Sequence, residues 1–250
     1  MKSCVLSNIK QVTEPNNQLL SSFTSAEEAV ERINMKFASF FQEDALATDT
    51  QPTDDSRNPY EWIISVSLTL VKSHLRQINP KKSMGSDLIP TVLYKEAADL
   101  LSEPLCHLFN LSINECRFPK RWKLSHVTPV PKKSPVDLEN LRPIALLPVP
   151  SKILEKIILK SMQEYFMSHF GKNQFGSRPS SSTTCAVIII SHHALHQLES
   201  TNTSGVQIIA YDYSKAFDTL PHHRIIERMS HLHFPVNFVK WIRDYLSQRF

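Results

Sequence analysis

The chain has 250 residues, 41% of them hydrophobic and 21% charged, the balance of a globular protein able to bury one large core or one and a half. No window approaches the roughly 18 uninterrupted apolar residues of a membrane span, and Met1 to Leu6 lack the apolar core and cleavage site of a secretory signal. An intracellular protein, nuclear or cytoplasmic, with no membrane partner is therefore expected. The cysteines (Cys4, Cys106, Cys116, Cys185) are scattered and form no Cys-x-x-Cys pair, so neither a disulfide framework nor a Cys-type zinc site is suggested.

Net charge is +4, unevenly spread. Residues 1–60 hold five Lys/Arg against nine Asp/Glu, whereas Lys120 to Lys160 holds nine Lys/Arg against three acids. A basic block inside a folded region suits a phosphate-bearing partner, and a solvated helix face is the alternative.

In chain order, residues 1–24 are polar, without periodicity, and read as a poorly ordered tail. Ala29, Val30, Ile33, Phe37, Phe40 and Phe41 then recur at helical spacing, with Ser25 and Glu28 as a capping box. The acidic, proline-punctuated stretch to Pro59 completes a segment 25–59 of helix plus linker. Residues 66–78 read as a helix, and a helix pair is expected over 90–103 and 104–116, started by Pro90 and Pro104. Proline and β-branched residues over 127–150 predict short strands joined by a loop. Ile153, Leu154, Ile157, Ile158, Met162 and Phe166 mark a helix after Pro150, and another runs from about Thr183 to Leu198. His192 and His196 in it stand four apart, but nothing resembling His-Glu-x-x-His accompanies them, and surface or core histidine is the reading. Val206 to Tyr213 is the strongest strand signal in the chain. Helices from Pro221 through Met229 and over 236–247 complete an α+β pattern.

The strand signal ends on Ala210-Tyr211-Asp212-Tyr213. A carboxylate near the end of an apolar strand must be solvated, hydrogen-bonded or bound to a cation. Metal-dependent nucleotidyl transfer uses such a carboxylate, and a turn-making aspartate is the plainer alternative.

Upstream stand Lys82-x-Met84-Gly85-Ser86-Asp87-x-Ile89-Pro90, then Phe118-Pro119-x-x-Trp122-Lys123 and Val127-Thr128-Pro129-Val130-Pro131-Lys132-Lys133. Asn140-Leu141-Arg142-Pro143-Ile144 and Asn173-Gln174-Phe175-Gly176-Ser177-Arg178-Pro179 follow. In this order, and with Tyr211-Asp212-Tyr213 through Phe217-Asp218 after them, these segments resemble the successive motifs of the reverse transcriptases of non-LTR (LINE-type) retrotransposons. The resemblance covers roughly residues 25 to 250.

That resemblance implies an α+β fold, with a helix-rich fingers region over 60–205 and part of the right-hand polymerase palm sheet from 206 to 250. It implies a piece of an RNA-directed DNA polymerase acting on an RNA template, a DNA primer and dNTPs, with Mg2+ as cofactor in the complete protein. Asp212 matches the first catalytic, metal-binding aspartate. Lys132 and Arg142 match residues gripping the nucleotide triphosphate, a mobile point charge and a two-pronged fork; a surface cation is the alternative for each. Phe217 matches the ring that crowds the sugar 2′-carbon, with a core phenylalanine as alternative. Gln174 and Arg178 match a segment near the template, although Ser177 stands where the family has an aromatic. Asp218 and Asp87 read as turn-making residues.

The family pattern also needs an aromatic-x-Asp-Asp hairpin, and no Asp-Asp follows Asp54-Asp55 here. One carboxylate arm leaves Mg2+ largely hydrated. These 250 residues alone are therefore not expected to polymerise DNA, and a non-catalytic remnant or nucleic-acid-binding protein is the alternative reading.

Overall fold

The computed structural model describes residues 25–39, 62, 64–132, 138–200, 204–213, 216–217 and 219–248. The chain divides into two compact units, one comprising the described residues through Ile158 together with Phe217 onward, the other Leu159–Ala216.

The first unit opens with helix α1 (Ala26–Ala38), whose N-cap Ser25 side chain accepts from the Glu28 N–H at 3.2 Å. Ala29, Ile33 and Phe37, four residues apart, form its buried stripe. Helix α2 (Leu68–Arg76) is capped by Ser67 and buries Val71 and Leu75. Helices α3 (Thr91–Glu96) and α4 (Ala98–Asn114) follow, broken at Ala97. The expected second start at Pro104 is therefore corrected: Pro104 lies inside α4. It removes one N–H from the helix ladder, and the buried row Leu105, Phe109 and Ser112–Ile113 runs on past it.

A short turn of helix, α5 (Lys120–Lys123), leads into an antiparallel hairpin of β1 (His126–Pro131) and β2 (Leu141–Leu146), joined through a 3-10 turn at Leu138–Asn140. Val127 and Leu141 on its inner face pack with Ile33 and Phe37 of α1 and with Leu138. Pro129 faces Pro143 and Pro131 faces Leu141. The Lys132 N–H donates to the Asn140 carbonyl at 2.8 Å. Pairs therefore alternate so that all three prolines fall at non-hydrogen-bonded positions. The ladder loses nothing there, and the missing outward donors blunt both edges.

Helix α6 (Val149–His169) starts in this unit and buries Ile153, Leu154, Ile157 and Ile158. Helices α8 (His222–His231) and α9 (Val236–Leu246) close it. With only four glycines in the chain, ordinary residues terminate two helices in the left-handed region. After α4, Cys116 takes φ 53°, and the Arg117 N–H reaches back to Ser112 O at 3.0 Å. After α8, His233 takes φ 56°, and the Phe234 N–H reaches Met229 O at 3.1 Å.

The core of this unit is aromatic. Phe118 lies edge-on to Trp241 and Tyr245, with centroids 5.4 and 5.0 Å apart, and Trp62 meets Phe238 at 5.0 Å. Trp241 donates its indole N–H to Ser112 Oγ at 3.1 Å, so α9 is seated on α4. Lys123, buried to 5% side-chain exposure, pairs with Asp244 at 2.9 Å and also donates to the Asp244 carbonyl. Asp244 accepts the Phe118 N–H at 2.7 Å as well. The Phe118-Pro119-x-x-Trp122-Lys123 motif is thus an anchor for α9.

The second unit holds the rest of α6, a loop over 171–182, helix α7 (Thr183–Leu198) and residues 204–213. Ser182 caps α7 by accepting from the Cys185 N–H at 3.2 Å. No residue of α7 is buried.

The expected strand at Val206–Tyr213 is corrected as well. Residues 205–213 adopt no regular secondary structure, and β1–β2 is the sheet found among the described residues. Strand propensity is a fit to a pleated neighbour, and without a partner to complete the ladder it does not produce a strand.

Candidate functional site

The hairpin makes the clearest arrangement of expected site residues. Arg142 stands opposite Val130, and Lys132 opposite Asn140. Residues 130, 132, 140 and 142 share one face, because side chains alternate along each strand. Lys132 and Arg142 are therefore diagonal neighbours, their backbones about 7–8 Å apart, and both are exposed on the face opposite the one that α1 covers. The ten-residue separation in sequence becomes an adjacent lysine and arginine. Neither has an ion-pairing carboxylate among the described residues.

The loop from Lys82 to Pro90 is held by its own polar contacts. Asp87 accepts from the Ile89 N–H at 3.3 Å and from the Tyr94 hydroxyl at 2.6 Å, the turn-making role expected of it. Burial, and then the hydrogen bond to Asp87, push the Tyr94 phenol well above its ordinary range. Ser86 Oγ donates to Leu124 O at 2.7 Å, and Thr91 Oγ1 to Lys82 O at 2.9 Å. Gly85 presses on the chain beyond β2: a Cβ there would stand 2.5 Å from Leu147 O and from the backbone of Pro148. No side chain fits, which gives this glycine a packing reason.

Phe217 belongs to the same unit as the hairpin but is 98% exposed, in a turn. Asp218 lies outside the described residues, as does Lys133.

The remaining candidates lie in the second unit. Gln174 braces its loop, its side-chain amide donating to Gly176 O at 3.1 Å. Arg178 is exposed between two residues in the left-handed region, Ser177 and Ser180, both at φ 59°. Ser177, where an aromatic was expected, holds one of these turns. Asp212 is exposed on the irregular segment. Its carboxylate has the hard-oxygen chemistry that Mg2+ prefers, and no group of three His, Cys, Asp or Glu is arranged to hold a metal among the described residues. His192 and His196 stack at 6.3 Å on the exposed α7. No helix among the described residues is long and apolar enough to cross a membrane.

Lys123, counted in sequence with the phosphate-suited basic block, is withdrawn from it by Asp244. The sequence offered no signal for this, because the partners lie 121 residues apart.

Residues 130–250, from the end of β1 onward, match the family model Reverse transcriptase (RNA-dependent DNA polymerase). The chain is 27% identical over 189 residues to the RNA-directed DNA polymerase from mobile element jockey of Drosophila melanogaster, covering 74% of this chain and 20% of that protein. It is 29% identical over 177 residues to the jockey polymerase of Drosophila funebris, covering 69% and 19%. To the probable RNA-directed DNA polymerase from transposon BS of Drosophila melanogaster it is 26% identical over 182 residues, covering 70% and 19%. The chain spans about a fifth of the length of these curated relatives. Over residues 130–250 the chain is thus similar to the reverse transcriptases. The relatives that it resembles are RNA-directed DNA polymerases of mobile elements.

Proposed function

We propose that these residues form the nucleotide-gripping and first metal-binding parts of an RNA-directed DNA polymerase. The observation that carries this is the exposed hairpin face bearing Lys132 and Arg142 side by side. A lysine and an arginine in that relation match a triphosphate. The ammonium follows the mobile terminal phosphate, while the guanidinium forks onto two oxygens of one phosphate.

In family terms, 60–205 is the fingers region and 206–250 the start of the palm. In this reading the segment 206–213 is the first catalytic strand, and it takes that form once a neighbouring strand pairs with it. Asp212 is the residue that would hold Mg2+, which when bound neutralises charge on the attacking and leaving oxygens of the transfer. Phe217, free of the core, is the ring set against the sugar 2′-carbon, and Arg178 and Gln174 lie along the template. The RNA template, DNA primer and dNTPs are the partners of this reading.

The test is steady-state primer extension on an RNA template by an active polymerase containing these residues. Lys132→Ala and Arg142→Ala should each raise KM for dNTP about 10- to 150-fold, the loss of a charge-assisted contact of roughly 1.5–3 kcal/mol. Phe217→Val should raise incorporation of rNTP relative to dNTP. An unchanged KM in both cation variants would remove the hairpin from the active site.

A further inference from the structure

Of the nine cations from Lys120 to Lys160, Lys123 is buried against Asp244, and Lys132 and Arg142 occupy the hairpin. Lys152 and Lys156 stand one turn apart on the outer face of α6, about 6 Å along its axis, both exposed, opposite the buried row Ile153, Leu154, Ile157 and Ile158. Lys82 joins them from another part of the chain. The contact of Gly85 with Leu147 and Pro148 brings the 82–90 loop to the start of α6, and Lys82 is near enough to repel the Lys152 ammonium.

This is not the arrangement of an ordinary solvated helix face. Partial burial, and then Lys82, lower the affinity of Lys152 for its proton, with Asp87 and Glu155 opposing them less strongly. Those two acids are engaged elsewhere, Asp87 by Tyr94 and the Ile89 N–H, and Glu155 by Ser151 Oγ at 3.1 Å. Among the described residues no carboxylate lies within ion-pair distance of Lys82, Lys152 or Lys156, and α6 has no acid in its first turn. Like charges gathered with only weaker counter-charges nearby cost stability until an anion arrives.

We infer that Lys82, Lys152 and Lys156 form a second phosphate-binding surface, distinct from the hairpin, that takes the sugar-phosphate backbone of a single nucleic-acid strand. This rests on the polymerase reading for its biological strand, the template, but not for its chemistry. Cations at the regular spacing of one helix turn suit successive phosphates, and contacts to phosphate position a strand without reading its bases. The surface would hold the strand while the hairpin grips the nucleotide.

The test is anisotropy of a labelled single-stranded RNA titrated with the 250-residue chain at several salt concentrations. In the triple variant Lys82→Gln, Lys152→Gln, Lys156→Gln, affinity should fall. The slope of log affinity against log salt should become shallower by about 2, at roughly 0.7 per lost phosphate contact on a single strand. Arginine at the same three positions should restore both, which separates lost contacts from lost folding. A control triple of exposed lysines, Lys120→Gln, Lys172→Gln, Lys240→Gln, removes the same charge and should change the slope little. Equal loss in the control, an unchanged slope in the first triple, or no RNA binding by the unaltered chain would overturn the surface. The readout is RNA binding and not extension, so failure of the polymerase reading and failure of this surface are seen separately.

Discussion

Two stretches rich in large apolar residues meet opposite fates in this protein. Residues 234–245 bury Phe234, Phe238, Val239 and Trp241 against α4 and the 118–123 motif. Residues 206–213, with three β-branched and two aromatic side chains, stay exposed, Ile208 at 64% and Tyr211 at 85%. The difference is not hydrophobicity. A helix satisfies its backbone hydrogen bonds internally, so α9 needs only a complementary face, whereas a strand needs a second strand before its apolar side chains can be ordered. The proposed metal-binding Asp212 lies on the stretch that has no such partner among the described residues.

The largest effect should come from cutting into the buried stretch. Trp241→Ala should cost about 3–5 kcal/mol of unfolding free energy, whereas Ile208→Ser should change it by less than about 0.5 kcal/mol. Urea unfolding of both variants decides this, and comparable losses would erase the contrast.

Next is the buried pair beneath α9. Lys123→Met strands a carboxylate that remains about one-third exposed, so a loss of roughly 2–3 kcal/mol is expected, below the full cost of an isolated buried charge. A double-mutant cycle with Asp244→Asn isolates the coupling; additive effects would mean that the clamp is incidental.

Gly85→Ala should cost about 1–3 kcal/mol, since the new methyl meets backbone that cannot swing away. An alanine variant as stable as the parent would show that the loop does not press on residues 147–148.

The smallest effect is electrostatic. Lys72 first, then Arg76, hold the Asp99 carboxyl below its ordinary value of 3.8. A carboxyl depressed in the folded state stabilises above its unfolded value, and that stabilisation is lost as pH falls through the folded one. Asp99→Asn should therefore slightly weaken the fold near neutrality and flatten its pH dependence below about pH 4. The pair is exposed, so the change is small.

Much of this architecture could be read from residue order. The 3.6-residue repeat of Ile153, Leu154, Ile157 and Ile158 marked α6, and the expected span of α7 coincides with the observed Thr183–Leu198. Prolines and β-branched residues marked the hairpin. Its register carries the information sequence lacked, because a slip of one residue would have put Lys132 and Arg142 on opposite faces. What escaped depends on contacts between distant positions. Lys123 looks in sequence like any member of a basic block, and Lys82 like a loop cation. The Val206–Tyr213 segment failed for the complementary reason: its side chains suit a strand, but pairing is a property of two segments.

The most direct measurement is primer extension on an RNA template with Mg2+, made beside template binding, in an active polymerase carrying these residues. The account predicts that Asp212→Asn abolishes nearly all extension while template affinity stays close to that of the parent, because the carboxylate serves the metal-dependent step and affinity comes from distributed cations. Normal extension by Asp212→Asn would contradict it, and the segment ending at Tyr213 would then not be the catalytic strand.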